Sequence, residues 1–131
     1  MISKGHTKTK EEMDWLDVVV EFAVESDFLI KKYGHVISES WNFEIDHILG
    51  AKTKRKINGV SCRVGELAIM PIPYSLHNVM SKNPVNRTTN PGNYRYAFGH
   101  EKQVWFEMIR VMQGDGYKIP FNEEVIQAII K

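Results

Sequence analysis

The chain has 131 residues, an apolar fraction of 43% and a charged fraction of 25%, values that are ordinary for one globular domain. Its single cysteine, Cys62, excludes an internal disulfide framework and a cysteine-rich zinc knuckle. The sequence has no apolar run of the roughly 20 residues needed to cross a bilayer, and its polar N-terminus is unlike a signal peptide. We therefore expect a cytoplasmic protein with no membrane partner.

The formal net charge of +1 hides an uneven distribution of charge along the chain. Residues 51–100 carry eight basic side chains and one acidic side chain, a local excess of +7, whereas residues 1–46 carry ten acidic and five basic side chains. A basic segment of this kind is typical of proteins that bind polyanions. The alternative is a lysine-rich loop that is simply solvated.

The N-terminal part predicts a tail followed by helices. We expect residues 1–10 to form a flexible tail and residues 11–131 to form a single domain. Thr9 and Glu12 have the spacing of a capping box, which predicts a helix start. A second short helix is predicted over residues 28–33, ending at Gly34 in a left-handed conformation. The buried face of the first helix should consist of Trp15, Leu16, Val19, Val20, Phe22 and Ala23.

The middle of the chain predicts a strand and a turn. Residues 40–48 alternate in the manner of a strand, with Glu44 and Asp46 on one face and His47 exposed at the end. A polar connection over residues 51–56 leads to an Asn58-Gly59 pair, which favours a tight turn.

A second strand and a short helix should follow this turn. The strand is predicted over residues 64–70. Pro71 and Pro73 are expected to end regular pairing there. The helix, over residues 74–80, should then carry His77.

The last third predicts a long loop and two helices. Residues 81–96 are rich in Asn, Pro, Gly and Thr and indicate a loop. Within it, Tyr94 and Tyr96 flank Arg95, a spacing that would suit base stacking, with core packing of the tyrosines as the alternative. Asn122 should cap a final helix. Residues 102–112 predict an amphipathic helix whose inward residues are Val104, Trp105, Met108, Ile109 and Met112.

Two short motifs carry a resemblance to a known family. They are Asp46-His47-Ile48 and His77-Asn78. Together they resemble the HNH (His-Me finger) nucleases, whose first strand ends in Asp-His or His-His and whose following helix opens with His-Asn or His-His. The Asn-Arg-Thr segment at residues 86–88 and the Phe-Gly-His-Glu-Lys segment at residues 98–102 extend the resemblance to small phage-type members. The resemblance implies an α+β fold with a ββα-metal core, flanked by N-terminal and C-terminal helices.

The resemblance also implies a metal-dependent DNA endonuclease or nickase, with roles for three residues in phosphodiester hydrolysis. His47 would be the general base, a task suited to a side chain that titrates near neutrality. Asp46 and His77 would hold one divalent ion, for which Mg²⁺, Mn²⁺, Zn²⁺ and Ni²⁺ are equally compatible. Their donor atoms should then lie roughly 3 to 5 Å apart. The partner would be nucleic acid, with DNA as the expected form, bound by Lys52, Lys54, Arg55, Lys56, Arg87 and Arg95.

The chain departs from the family pattern at two points. The asparagine that orients the base histidine has no clear counterpart, because Asn58 is predicted in a turn and Glu66 in a strand. The short helix also carries one histidine where several relatives have more. The missing second histidine favours the alternative, a non-catalytic nucleic-acid-binding or regulatory protein on a degenerate HNH scaffold. Two further side chains are left open: Glu44 either supports the site or faces solvent, and His100 is expected to cap a helix.

Overall fold

The computed structural model describes residues 7–37 and 42–131. In these ranges the chain forms helices and two small antiparallel sheets, which confirms the α+β class. Residues 1–6 of the tail predicted over residues 1–10 and the start of the predicted first strand lie outside the described residues. The helices are α1 (Lys10–Glu25), α2 (Phe28–Tyr33), α3 (Tyr74–His77), α4 (Pro91–Phe98), α5 (Glu101–Gly114) and α6 (Glu123–Ile130). The strands are β1 (Phe43–His47), β2 (Lys54–Ile57), β3 (Val60–Arg63) and β4 (Ile69–Pro73).

The two N-terminal helices form where the sequence predicts them. The Thr9 side chain accepts a hydrogen bond from the Glu12 backbone amide, and the Glu12 carboxylate accepts one from the Thr9 amide, so the capping box is confirmed. Helix α2 has the predicted bounds, but the expected left-handed end at Gly34 is wrong. Gly34 has a φ of −59° and donates its N–H to the Ile30 carbonyl, because the helical hydrogen-bonding pattern continues through this residue.

Strand β4 begins later than predicted and includes both prolines. Residues 64–68 form a turn in which the amides of Leu67 and Ala68 donate to the Val64 carbonyl. The strand then runs antiparallel to β1, with Phe43 opposite Pro73. The expectation that the prolines end regular pairing is therefore wrong.

The hydrogen-bonding alternation of the strand explains why the prolines are tolerated. The Tyr74 N–H donates to the Asn42 carbonyl across the pair. Alternation along the strand then turns the nitrogens of Pro71 and Pro73 away from β1, where no ladder hydrogen bond is required.

A β-hairpin separates the two strands of the first sheet. Strands β2 and β3 pair in register from Lys54 opposite Arg63 to Ile57 opposite Val60. Asn58 and Gly59 have φ angles of 53° and 80°, as a two-residue hairpin turn requires, so the predicted turn is confirmed. The residues expected to form a polar connection instead contribute most of β2.

The predicted loop over residues 81–96 is wrong in its last third, where helix α4 forms. Pro91 stands at the start of this helix, a position at which its fixed φ is favourable and its missing N–H costs nothing. Tyr94 and Phe98 lie four residues apart and are buried against Tyr33. Tertiary packing of this aromatic pair stabilises a helix in a segment whose composition favours a loop.

The hydrophobic core lies between α1, β4 and the C-terminal helices. All five residues predicted to face inward from α5 are buried. Phe121 packs edge-on against Trp15, at 5.2 Å between ring centroids, and stacks on Trp105 at 6.1 Å. The Asn122 side chain accepts from the Val125 amide and caps α6 as predicted. Within residues 7–37 and 42–131, no helix combines the length and apolar character needed to cross a membrane.

Candidate functional site

The fold brings Asp46 and His77 together although 30 residues separate them in the chain. Strand β4 pairs with β1, with Met70 opposite Asp46, and then continues directly into the single turn of α3 that ends at His77. His77 Nε2 lies 3.7 Å from Asp46 Oδ1. This distance falls within the 3 to 5 Å expected from the sequence.

Glu44 holds the other nitrogen of the His77 ring. Its Oε1 lies 2.6 Å from His77 Nδ1, and its Oε2 accepts a hydrogen bond from Asn78 Nδ2 at 3.3 Å. The hydrogen bond with His77 lowers the pKa of Glu44 below its usual value, so the carboxylate stays ionised at neutral pH. Of the two alternatives for Glu44, support of His77 is the one that the geometry favours.

Arg87 binds the carboxylate of Asp46. Its Nε and Nη2 donate to the two carboxylate oxygens of Asp46, the latter at 2.6 Å, and its Nη1 donates to Glu101 at 2.8 Å. The Asp46 and Glu101 side chains are each only 3% exposed. Arg95 and His100 also contact Glu101, at 2.8 and 3.1 Å. Asp46, Arg87 and Glu101 thus form a buried ionic cluster that holds Asp46 in place.

The cluster shifts the titration of two of its members. Burial disfavours the charged form of Glu101, but hydrogen bonding from Arg95 and the charge of Arg87 outweigh it, and the pKa of Glu101 lies below its usual value. Burial likewise opposes the charge of Arg87, yet its hydrogen bonds with Asp46 raise its pKa further. Both groups are charged throughout the physiological pH range.

His47 ends β1 with its side chain 31% exposed, at the strand end where the sequence predicts it. Its Nε2 lies 2.8 Å from Oε1 of Glu66, a side chain that is only 4% exposed. Glu66 lies in the turn before β4 and not in the strand predicted for it. It thus contacts the histidine that lacks a recognisable asparagine partner. Asn58, at the hairpin tip, donates instead to Glu124 of α6 at 2.8 Å.

The Asn-Arg-Thr segment fixes the end of α3. The fully buried Asn86 donates from Nδ2 to the carbonyls of Ser75 and Asn78, at 3.1 and 2.9 Å. The Arg87 amide donates to the Leu76 carbonyl, and the Thr88 hydroxyl donates to the His77 carbonyl. The segment therefore anchors the backbone that carries His77. Sequence reasoning gave Asn86 no such role, and its position in the motif was the only signal.

The residues predicted to bind nucleic acid divide into two groups. Arg87 and Arg95 both form ion pairs with carboxylates of the buried cluster. The remaining four lie on the hairpin or just before it; Arg55 is half-buried, and the exposed ones are Lys52, Lys54 and Lys56. The Arg87 side chain is only 17% exposed, whereas Arg95 and the three lysines are exposed.

The two tyrosines of α4 have different environments. Tyr94 is fully buried, and its hydroxyl lies 2.7 Å from that of Tyr33, so core packing is confirmed for this residue. Tyr96 is 96% exposed. His100 accepts a hydrogen bond from the Lys102 amide at 3.2 Å and caps α5, as the sequence predicts.

The donor atoms at Asp46 and His77 fit an open metal site with two protein ligands. His77 Nε2 and Asp46 Oδ1, which lie 3.7 Å apart, would hold one ion, and Arg87 Nη2 donates to the same Oδ1 at 2.6 Å. In the described part of the chain, no group of three or more His, Cys, Asp or Glu side chains is arranged to hold an ion. An ion held by these two side chains alone would keep water or substrate oxygens on its other positions.

Comparisons of the chain with protein-family models, with curated proteins and with solved structures gave no match.

Proposed function

We propose that this chain is a metal-dependent phosphodiesterase of the HNH type that cleaves nucleic acid, with DNA as its substrate. In this proposal β1, β4 and α3 are the two strands and the helix of a ββα-metal core. The observation that carries the proposal is the approach of His77 Nε2 to within 3.7 Å of Asp46 Oδ1, next to a partly exposed His47. The neighbouring basic hairpin supports a polyanionic substrate.

Each residue of the site has a separate task in the proposed reaction. A bound divalent ion would offset the charge that develops on the phosphate. Asp46 and His77 would hold that ion. His47 would take a proton from the attacking water through Nδ1, since its Nε2 faces Glu66. Glu66 would keep the imidazole ring in one orientation and stabilise its protonated form.

One observation favours a non-catalytic nucleic-acid-binding or regulatory protein as the second candidate. Arg87 hydrogen-bonds both carboxylate oxygens of Asp46. Its positive charge already satisfies the group that would attract a cation. In this alternative Asp46 and Arg87 are a structural ion pair, and the basic hairpin alone contacts the nucleic acid.

Plasmid cleavage with Mg²⁺ or Mn²⁺ tests the proposed function. We expect His47→Ala to keep metal binding and to lower cleavage by about 10²- to 10⁴-fold, because only the general base is lost. His77→Ala should lose both the ion and cleavage, as seen by calorimetric titration with Mn²⁺. His35→Ala is the matched control, since His35 is exposed and contacts the ring of Phe98.

Two results would contradict the nuclease. Wild-type protein that binds DNA but cuts nothing with Mg²⁺, Mn²⁺, Zn²⁺ or Ni²⁺ would decide for the non-catalytic candidate. Equal cleavage by the wild type and all three variants would indicate a contaminating nuclease.

A further inference from the structure

The His77 ring lies between two carboxylates, one at each nitrogen. Nδ1 lies 2.6 Å from Glu44 Oε1, a hydrogen-bonding distance, whereas Nε2 lies 3.7 Å from Asp46 Oδ1, which is too long for a hydrogen bond. An ionised carboxylate only accepts hydrogen bonds. Nδ1 must therefore carry the proton that Glu44 accepts.

A neutral imidazole has one N–H and one lone pair. With the proton on Nδ1, the lone pair of His77 lies on Nε2 and faces Asp46 Oδ1. Two electron-rich atoms thus lie 3.7 Å apart, an arrangement that suits a cation held by both, which would share Oδ1 with the Nη2 of Arg87 that donates to it at 2.6 Å. The opposite tautomer would place the N–H on Nε2 and leave no lone pair on this nitrogen for a metal ion.

Glu44 is itself fixed in the position that selects the first tautomer. It lies on β1 on the same face as Asp46, two residues away, and pairs with Ile72 of β4. Its second oxygen accepts from Asn78, the residue directly after His77. Strand register and this second contact therefore orient the carboxylate towards Nδ1.

We infer that Glu44 is a positioning residue that keeps the proton of His77 on Nδ1 and so presents Nε2 as a preformed metal ligand beside Asp46. The inference rests on the proposed function and goes further by assigning the ligand atom and the group that sets it. Hydrogen-bonded partners of this kind typically change metal affinity by about 10- to 100-fold when they are removed.

The test combines nitrogen-15 NMR of the His77 ring with calorimetric titration by Mn²⁺, both at pH 8. The wild type should show the proton on Nδ1. Free imidazole in histidine favours the proton on Nε2, so Glu44→Ala should move it there and weaken Mn²⁺ binding by about 10- to 100-fold. Glu44→Gln keeps an acceptor oxygen of the same reach and should retain the Nδ1 proton and most of the affinity.

Glu21→Ala, on the exposed face of α1, is the matched control and should change neither measurement. A wild-type proton on Nε2, or a Glu44→Ala variant with unchanged tautomer and affinity, would overturn the positioning role alone. Wild-type protein with the proton on Nδ1 that binds no Mn²⁺ would overturn the ligand role of Nε2 together with the proposed metal site. The two measurements therefore separate failure of this inference from failure of the proposed function.

Discussion

Arg87 is the cation that the two buried carboxylates of the candidate site share. It joins Asp46 on β1 to Glu101 at the start of α5, and both carboxylates are almost completely buried. Removing one partner of a buried ion pair leaves the other charge without compensation, which costs far more than the pair contributes when intact. The three groups should consequently behave as one unit.

We expect Arg87→Ala to lower the free energy of unfolding by about 3 to 5 kcal/mol, because two buried carboxylates lose their shared cation. Urea unfolding measures this change. Arg95→Ala is the control, since Arg95 also pairs with Glu101 but is 48% exposed; its loss should cost about 1 kcal/mol or less. Equal losses in the two variants would contradict a special role for the buried arginine.

At the scale of single residues, sequence reasoning identified histidines more readily than their partners. The approach of Asp46 to His77 followed from a recognisable motif. Glu66 and Glu101 carry no such signal, because a carboxylate gains a role only from what the fold places beside it. Glu66 lies 19 residues along the chain from its partner His47, and Glu101 lies 14 residues from its partner Arg87.

The β2–β3 hairpin is the element that carries most of the exposed basic charge near the site. It is inserted between β1, which ends at His47, and β4, which leads to His77. Its base is fixed at Thr53, whose carbonyl accepts from the amides of both Val64 and Gly65. A Cβ on Gly65 would lie 2.3 Å from the Ala51 carbonyl oxygen, so only glycine fits this close approach.

Replacing Lys54, Arg55 and Lys56 together by Ala should flatten the salt dependence of DNA binding. Each phosphate that a cation neutralises releases counterions, so the slope of log affinity against log salt should decrease by up to about 3. Fluorescence anisotropy between low and moderate salt measures the slope.

A charge-matched control separates the hairpin from net charge. Replacing Lys10, Lys31 and Lys118 by Ala should leave the slope nearly unchanged, because these lysines are exposed on other parts of the surface. If the slope is identical for the wild type and the hairpin variant, the hairpin does not contact DNA and its basic residues are simply solvated.

At the scale of elements, the helices were predicted best because their signals are local. Caps and apolar spacing placed α1, α5 and α6 to within a few residues. The second strand was misplaced because proline is a poor strand residue in general, whereas its cost depends on which edge its nitrogen faces. The edge that the nitrogens of Pro71 and Pro73 face is known only once the pairing of β1 with β4 is known.

Over the whole molecule, the buried ionic cluster makes stability depend on pH. The pKa of Glu101 is lower in the folded than in the unfolded chain, so the unfolded state binds more protons as the solution is acidified. This contribution is fully present above the ordinary pKa of about 4.5 and is lost as pH falls through the lower folded value. Glu44 contributes in the same direction.

We therefore expect the melting temperature to fall below about pH 4.5 and this fall to be shallower in Glu101→Gln, which removes the titrating group. Thermal unfolding followed by circular dichroism between pH 3 and 7 measures both. Glu21→Gln serves as the control and should follow the wild-type curve. If the melting temperature of Glu101→Gln falls with decreasing pH as steeply as that of the wild type, carboxylates other than Glu101 dominate the loss of stability in acid.

Pro71 and Pro73 have a further consequence, for the hydration of the core. All five residues of β4 are buried, so an amide on the edge that faces away from β1 would be removed from water. Proline has no N–H at this point, and so it leaves no donor to be dehydrated. Valine, which is the better strand former, should therefore destabilise the protein at either position by about 1 to 3 kcal/mol in urea unfolding, because it would bury a donor without an acceptor.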